Sequence, residues 1–379
     1  MTIDSSDKTT ERKLLGLVSI LILIGILVAG LWPFHAPSNQ VTWLNSINGV
    51  RLGPHGTVLA ARSLTNSGSL ERGPCSLEIC LKPNRAEDSG TILAFFTREH
   101  TIRFSLHHSS ANLALQKGPY NQHIPATGER PVYVNDVFRK IQPLLITITS
   151  GEQGTTIYID GKLARTASWL RMSAADFSGR LVLGTSPVVD DNWSGELRGL
   201  AIYNQQLTAI QVFHHFETWT TKGRLIDLDE RVMALYPFDE HVGRTVHDRG
   251  GSGIDLYIPE QYVIAHEKVL EPPWKEFYPQ WGYWKNVLIN IGGFIPLGFF
   301  FCAYLSTAPT ITRPALATII LGAALSITIE ALQGYLPTRN SGMTDIITNT
   351  IGTGFGVMLY RWKGFLLLET LQRIRAAAL

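Results

Sequence analysis

Long apolar segments constrain this chain most, because a run of about 18 to 20 residues without charges is long enough to cross a hydrocarbon core of about 30 Å as a helix. Residues 14–31 form such a run, with no charged side chain. Three further apolar segments, residues 286–305, 314–336 and 343–360, follow in the last quarter of the chain. The sequence therefore predicts a bundle of four transmembrane helices.

Positive charges predict the orientation of these helices. Lys8, Arg12 and Lys13 precede the first apolar segment, which places the N-terminus in the cytoplasm and residue 35 outside. Arg361 and Lys363 follow the last segment and predict a cytoplasmic C-terminus. A cleaved signal peptide is the alternative for residues 14–31, but the apolar run is long and no A-x-A cleavage site follows it, which favours an uncleaved anchor.

The composition agrees with a membrane protein and excludes several classes. Of the 379 residues, 45% are hydrophobic and 17% are charged, the net charge is +2 and the mean hydropathy is +0.07. A net charge this small argues against nucleic-acid partners. Three cysteines, Cys75, Cys80 and Cys302, cannot build a disulfide framework, and we expect all three to be free thiols.

Between the first two apolar segments lie about 250 residues of polar, turn-rich sequence, too long for a simple loop. Alternating patterns predict strands over residues 76–81, 91–96, 102–106, 145–149, 155–159 and 180–183. Asp160-Gly161 predicts a tight hairpin, and residues 208–219 predict one helix. Many short strands with glycine turns indicate an all-β antiparallel sandwich.

These patterns divide the chain into six parts. The predicted boundaries are a cytoplasmic N-terminus (1–13), transmembrane helix 1 (14–34), a sandwich ectodomain (40–262), an aromatic interfacial linker (263–285), a membrane domain of three transmembrane helices (286–360) and a cytoplasmic tail helix (361–379).

The ectodomain also resembles a known family. The segments at residues 75–83, 156–161, 179–184 and 193–204, the last reading Trp-Ser-Gly-Glu-Leu-Arg-Gly-Leu-Ala-Ile-Tyr-Asn, are similar to concanavalin A-like lectin/glucanase domains of laminin-G type. The resemblance implies a jelly-roll sandwich. Such domains often hold calcium at a loop rim, where Asp190, Asp191 and Asn192 are the candidate ligands, although a plain turn is the alternative. The glucanase motif Glu-x-Asp-x-x-Glu does not occur, which argues against hydrolysis.

Two pairs of adjacent histidines, at residues 107–108 and 214–215, are candidate metal ligands by residue type. Adjacent side chains on a strand or helix point in different directions. We therefore expect packing or surface histidines rather than a metal site.

Polar residues at helical spacing stand out in the membrane domain. Glu330 and Gln333, Asp345 and Asn349, and Asn286 and Asn290 each share one helix face. With Arg339 on the loop between the last two apolar segments, the predicted topology brings these polar groups together near the outer leaflet. Ionisable groups within spans are costly and usually mark function, while a salt bridge that only fastens two helices is the alternative. The sequence thus predicts a ligand-binding site at Asn286, Asn290, Glu330, Gln333, Arg339, Asp345 and Asn349.

The same residues resemble the VanZ-like family. Asn290-Ile-Gly-Gly-Phe-Ile-Pro-Leu-Gly298, Glu330-Ala-Leu-Gln333, Arg339 and Asp345-Ile-Ile-Thr-Asn349 carry the resemblance, which covers residues 286–360. It implies a bacterial inner-membrane protein, and the founding member is associated with low-level teicoplanin resistance. Lys285 and Asn286 only partly match the family pattern that precedes the second span. In this interpretation the sandwich is inserted into the first external loop.

Three functions follow as hypotheses. The first is a cell-envelope protein that binds surface glycan or lipid-linked glycan precursors, with a link to glycopeptide resistance or exopolysaccharide handling. The second is a membrane enzyme acting on lipid-linked sugar phosphates through Glu330 or Asp345, although no nucleophile or phosphatase motif supports catalysis. The third is an anchored adhesion or sensory receptor. No cofactor is expected apart from calcium at the ectodomain rim.

Overall fold

The computed structural model describes residues 3–64, 73–97, 102–118, 130–188, 191–223, 231–264, 269–277, 279, 281–339 and 341–377, with backbone only at 3–11, 275 and 363–377. The chain forms two compact units. A helical unit comprises Met1–His35 and Glu267–Leu379, and a sandwich unit comprises Ala36–His266.

The sandwich unit contains sixteen described strands and one long helix. The strands are β1 (Val41–Trp43), β2 (Val50–Leu52), β3 (Val58–Ala60), β4 (Cys75–Pro83), β5 (Ser89–Phe96), β6 (Ile102–Ser109), β7 (Asn112–Lys117), β8 (Val132–Val134), β9 (Leu144–Gly151), β10 (Gly154–Ile159), β11 (Lys162–Ala167), β12 (Arg180–Leu183), β13 (Gly195–Tyr203), β14 (Val232–Tyr236), β15 (Thr245–Val246) and β16 (Leu256–Tyr257).

These strands form two antiparallel sheets of eight strands each. The first sheet has the order β1-β2-β13-β4-β9-β10-β11, with β14 paired to β13, and the second has the order β15-β16-β3-β12-β5-β6-β7-β8. The two sheets enclose the main hydrophobic core, to which Leu77, Phe95, Ile146 and Trp193 contribute buried side chains. The predicted antiparallel sandwich is confirmed.

All six predicted strands are present, and the predicted hairpin joins β10 to β11. Ile159 pairs with Lys162 across the turn. Asp160 and Gly161 both adopt positive φ angles, of 50° and 73°, as a two-residue turn of this kind requires. Four strands are only three residues long, which is too short for a clear alternating signal: β1, β2, β3 and β8. Strand β7 was not predicted either.

The predicted helix of the sandwich unit is α2 (Ala209–Lys222). The Thr208 hydroxyl accepts a hydrogen bond from the Gln211 backbone N–H, while the Gln211 side chain accepts one from the Thr208 backbone N–H. This capping box satisfies two backbone donors at the helix start. Helix α2 covers the outer face of the first sheet, where Cys80, Tyr203 and Trp219 belong to a second hydrophobic cluster.

The helical unit contains five described helices. They are α1 (Ile3–Leu31), α3 (Pro273–Glu276), α4 (Trp281–Ser306), α5 (Pro314–Gln333) and α6 (Met343–Ala377). Residues from α1, α4 and α5 form its hydrophobic cluster, which includes Ile26, Phe294 and Ile329.

Three described helices, rather than the predicted four, are long and apolar enough to cross a membrane. They are Arg12–Leu31, Trp281–Ser306 and Pro314–Gln333. Helix α6 is long, but Thr344, Asp345, Thr348, Asn349 and Thr350 make its first part too polar to qualify by composition. The predicted fourth span at residues 343–360 already included Asp345 and Asn349, and with the threonines around them it is not among the described helices that are apolar enough to cross a membrane.

The ends of the helices also differ from the sequence expectation. Helix α4 begins at Trp281, so part of the predicted linker is helical, and α5 ends at Gln333. Helix α6 runs without interruption to Ala377, and no separate tail helix begins at residue 361. A single glycine, Gly364, does not break the helix because strong helix formers surround it.

Candidate functional site

The polar residues predicted from helical spacing line a single cavity in the helical unit. The cavity has a volume of about 510 Å³ and lies between the C-terminal end of α1, the start of α4, the end of α5 and the start of α6. All seven predicted residues line it: Asn286, Asn290, Glu330, Gln333, Arg339, Asp345 and Asn349.

Helix α5 contributes Glu330 and Gln333 from its last turn. Glu330 is 2% exposed and its Oε2 accepts a hydrogen bond of 2.8 Å from the Gly342 backbone N–H. Gln333 is 8% exposed and its Nε2 donates to the Gly30 carbonyl of α1 at 2.7 Å. The spacing of three residues places both side chains on one helix face, as expected.

The turn after α5 contributes Arg339, whose Nη2 donates to the carbonyls of Ala29 and Gly30 at 2.9 Å each. These are among the last carbonyls of α1, which have no partner within their own helix. A guanidinium group at this end also complements the helix dipole. Arg339 therefore binds the C-terminal end of α1 through its guanidinium group.

Helices α4 and α6 provide the remaining polar groups. Asn290 hydrogen-bonds with the Asp345 carboxylate, whereas Asn286, one turn earlier, is exposed. Asn349 is 5% exposed and its Nδ2 donates to the Ser326 hydroxyl of α5 at 2.9 Å. Asp345 thus faces α4, and Asn349 connects α6 with α5.

Glu276 of α3, which was not among the predicted site residues, lies near both Glu330 and Asp345. Its Oε2 accepts hydrogen bonds from the backbone N–H and the hydroxyl of Thr344 at the start of α6. A carboxylate in this position satisfies a free helix N–H and complements the positive end of the helix dipole. No spacing rule indicates it, because Glu276 is 54 positions from Glu330 in the sequence.

Four buried polar atoms around the cavity have no hydrogen-bond partner among the described residues. They are Gln333 Oε1, Thr338 Oγ1, Arg339 Nε and Asn349 Oδ1, and all four residues line the cavity. A buried polar group without a partner costs roughly 1–3 kcal/mol. Of these four atoms, three can accept a hydrogen bond and two can donate one.

The calcium candidates lie in the sandwich unit. Asp190 falls outside the described residues. Asp191 Oδ2 accepts a hydrogen bond of 2.6 Å from the Thr91 hydroxyl and lies 3.7 Å from His107 Nδ1, and Asn192 Oδ1 accepts one of 2.6 Å from the Tyr262 hydroxyl. Burial alone would raise the pKa of Asp191, but the neighbouring His107 imidazole and the hydrogen bond from Thr91 hold that pKa below its usual value. The calcium site stays a prediction.

The histidine pairs take up packing and surface positions. His107 and His108 are both buried on β6, where His107 Nε2 contacts the Ser105 hydroxyl and Trp193 Nε1 donates to His108 Nδ1. On α2, His214 is exposed and His215 is buried. Within the described part of the chain, no three His, Cys, Asp or Glu side chains are grouped so that they could hold a metal ion.

Comparisons with solved structures give distant similarities. A candidate carbohydrate-binding protein from Bacteroides ovatus has a TM-score of 0.38 and 11% identity, over 59% of this chain and 58% of that one. The receptor-binding domain of botulinum neurotoxin C/D mosaic serotype has a TM-score of 0.37 and 16% identity, over 48% of this chain and 45% of that one. This chain therefore spans about half the length of these structures. No curated protein matches it.

Two family models match consecutive parts of the chain. The concanavalin A-like lectin/glucanases superfamily model matches residues 60–213, and the VanZ/LLP1 model matches residues 212–367. The second match begins within α2, so it includes the closing strands of the sandwich unit as well as helices α3 to α6. The chain thus carries a concanavalin A-like domain of laminin-G type followed by a VanZ-like domain.

Proposed function

We propose that this protein is a glycan-binding membrane protein of the bacterial cell envelope, and that the cavity of its helical unit binds the polar head group of a lipid-linked glycan. The observation that carries the proposal is the group of four unpartnered buried polar atoms around one cavity of about 510 Å³. A ligand that pairs with these atoms would remove a desolvation cost that the unliganded protein bears.

The chemistry of the cavity suits a head group that contains both phosphate and sugar. Arg339 offers its unpartnered Nε to a phosphate oxygen, and a guanidinium group bonds strongly to such an anion. The carboxylates of Glu330 and Asp345 and the amide oxygens of Gln333 and Asn349 accept hydrogen bonds from sugar hydroxyls. The cavity volume lies within the range of about 300–1,000 Å³ that is usual for small-ligand sites.

The apolar helices support a membrane location for this cavity. Three described helices are long and apolar enough to span a bilayer. We place the N-terminus in the cytoplasm and the sandwich unit outside the inner membrane, because Arg12 and Lys13 lie at the start of the first apolar helix. A handling role for precursors of surface polysaccharide or peptidoglycan, with an effect on teicoplanin susceptibility, fits this location.

The test is mass spectrometry of lipids that co-purify with the intact protein. We expect a polyprenyl-linked glycan with the wild type, and its loss from Glu330→Gln and Asp345→Asn, because each variant removes a negatively charged hydrogen-bond acceptor while keeping the side-chain shape. Thr328→Val is the matched control, since Thr328 is an exposed polar residue of α5 that does not line the cavity. All proteins are compared at equal expression and equal thermal stability.

Two results would contradict the proposal. Equal amounts of the lipid with the wild type and both carboxylate variants would place its binding elsewhere. The absence of any enriched lipid from all samples would favour the anchored receptor, in which the helical unit only holds the ectodomain. Loss of the lipid from Thr328→Val as well would indicate general disturbance of the helices.

A further inference from the structure

A second cavity lies in the sandwich unit, beneath the C-terminal half of α2. Its volume is about 440 Å³, and its walls come from α2, from β13, from the β10–β11 hairpin and from the loops that precede β2 and β9. Helix α2 extends beyond the end of the lectin-type match at residue 213. The cavity is therefore formed between the matched jelly roll and an element that packs on its outer face.

Two aromatic side chains of α2 form one wall of this cleft. Phe216 and Trp219 both line it, and their ring centroids are 6.5 Å apart. Phe216 is half-buried and packs beside the hairpin, where a Cβ atom at Gly161 would be 3.1 Å from Phe216 Cβ. Rings that are fixed by packing in this way lose little conformational entropy when a ligand contacts them. The apolar C–H face of a pyranose ring is a suitable partner for such a surface.

Planar polar side chains face the same cleft. Asn48, Gln142, Asp160 and Arg198 line it. Asp160 is held in place because its Oδ1 accepts a hydrogen bond of 2.9 Å from the Leu145 backbone N–H. Amide, carboxylate and guanidinium groups at fixed positions beside aromatic rings are the groups that can pair with adjacent hydroxyls of a sugar.

The charges of the cleft favour an uncharged sugar. Arg198 Nη2 lies 2.7 Å from Glu196 Oε2, and because Arg51 contacts the same carboxylate at 3.0 Å, this pair balances the positive charge of Arg198 only in part. Asp160 adds a carboxylate, which would repel an acidic ligand. Asp160 and Arg198 are the two charged residues among the described residues that line the cleft, and their charges are opposite, so the cleft has no net charge that would attract a phosphate or uronate group.

Another large cavity lined by described residues of the sandwich unit lacks this combination. It has a volume of about 520 Å³, but none of the described residues that line it is aromatic. Its acidic residue Glu196 is already paired with Arg51 at 3.0 Å and with Arg198. The cleft beneath α2 is thus the better candidate for a saccharide.

We infer that the cleft between α2 and the first sheet is a binding site for a neutral saccharide, in which Phe216 and Trp219 contact the sugar ring and Asn48, Gln142 and Asp160 pair with its hydroxyls. This inference rests on the proposed function for the class of ligand. It concerns a different site, which soluble sugars can probe without any lipid.

The experiment is isothermal titration calorimetry on the full-length protein in detergent. The probes are soluble neutral hexasaccharides of β-1,4-glucose, β-1,3-glucose, α-1,4-glucose and β-1,4-N-acetylglucosamine. We expect at least one of them to bind, and the double variant Asn48→Ala/Gln142→Ala to weaken that binding about tenfold, as the loss of two hydrogen bonds predicts. Both side chains lie on the surface loops, so this variant should keep its fold.

A matched pair of substitutions on α2 tests the aromatic contact. Phe216→Leu removes a ring from the cleft and is expected to weaken binding, whereas Phe213→Leu removes a ring that is 49% exposed and does not line the cleft. Equal thermal stability of both variants would show that the fold is retained.

The results separate this inference from the proposed lipid site. Binding of none of the four hexasaccharides, or binding that neither Phe216→Leu nor the double variant changes, would overturn it. Glu330→Gln should leave hexasaccharide binding intact, because that residue lines only the cavity of the helical unit. If Glu330→Gln loses the co-purified lipid but still binds the hexasaccharide, that result bears on the proposed function alone and leaves the cleft beneath α2 as the sugar site.

Discussion

Glu78 of β4 shows how the outer face of the first sheet accommodates a carboxylate that is completely buried. Its Oε1 accepts a hydrogen bond of 2.9 Å from the Thr147 hydroxyl, and its Oε2 accepts one of 2.8 Å from the Tyr203 hydroxyl and contacts His215 Nδ1 at 2.9 Å. A buried carboxylate is tolerated only when such partners satisfy it. The network connects three strands of the sheet with α2.

Removing this carboxylate should destabilise the sandwich unit. We expect Glu78→Ala to lower the free energy of unfolding by about 3–5 kcal/mol, because the change removes a buried carboxylate that Thr147, Tyr203 and His215 all contact. Urea unfolding monitored by circular dichroism measures the loss. Glu217→Ala is the control, since Glu217 lies exposed on α2, and a surface change of this kind costs within about 0.5 kcal/mol. Equal effects of the two variants would contradict the assigned network.

Glu196 of β13 should make stability depend on pH. Burial alone would raise its pKa, but hydrogen bonds from Arg198 and Arg51 hold the pKa of Glu196 below its usual value. A carboxyl whose folded pKa is depressed stabilises the protein above its unfolded pKa of about 4.3, and this contribution is lost as the pH falls through the folded pKa. Between about pH 5 and pH 3, unfolding free energies of Glu196→Gln should therefore decline less steeply than those of the wild type. If the unfolding free energies of Glu196→Gln and the wild type decline equally with falling pH, the prediction is wrong.

At the scale of elements, glycines bring α4 and α6 into close contact. A Cβ atom at Gly352 would lie 2.2 Å from the Ile291 carbonyl oxygen, and one at Gly298 would lie 2.0 Å from the Thr353 carbonyl oxygen. At Gly354, on the same helix, a Cβ atom would meet nothing within 4 Å. Close backbone approach through small residues is a common way for membrane helices to associate, but only some of the glycines in these helices take part in it.

The two glycines of α6 give a matched test. Gly352→Ala should lower the thermal unfolding temperature of the purified protein in detergent, because the added methyl group forces α4 and α6 apart. Gly354→Ala should leave it unchanged or raise it, since alanine is favoured over glycine in a helix by about 1 kcal/mol. The close contact would be refuted by a Gly352→Ala protein as stable as the wild type.

At the scale of the whole molecule, each compact unit has its own hydrophobic core. The core of the sandwich unit lies between its two sheets, and that of the helical unit includes Phe294 and Ile329. A unit that has its own core and consists of one continuous chain segment can fold by itself.

We therefore expect residues 36–266 to fold without the helical unit. This fragment should give a β-type circular dichroism spectrum and a cooperative thermal transition, because its strands pair within the fragment. Introducing Glu78→Ala into the fragment should lower its transition as in the full chain. A fragment without a cooperative transition would show that the sandwich unit needs the helical unit for folding.

Local patterns in the sequence determined several strands, one hairpin and the polar residues that share a helix face. Alternation predicted six strands, because the two faces of a strand lie in different surroundings and take different residues. Asp160-Gly161 predicted the hairpin between β10 and β11, because few residues adopt the dihedral angles of a tight turn. Helical spacing paired Glu330 with Gln333 and Asp345 with Asn349, and all four line one cavity. The predicted count of four apolar spans was wrong, because the polar residues in the first part of α6 leave three described helices that are apolar enough to span a membrane.

The tertiary structure decided which faces meet. Periodicity fixes the residues that share one face of an element, but it does not tell which distant element covers that face. Thus Gln333 and Arg339 donate hydrogen bonds to carbonyls of α1 that lie about 300 positions earlier in the chain. Glu276, which belongs to α3, accepts a hydrogen bond from a backbone N–H at the start of α6. The cleft beneath α2 likewise combines Asn48, Gln142 and Phe216 from separate parts of the sequence. Such sites depend on long-range packing, for which a single sequence contains no local signal.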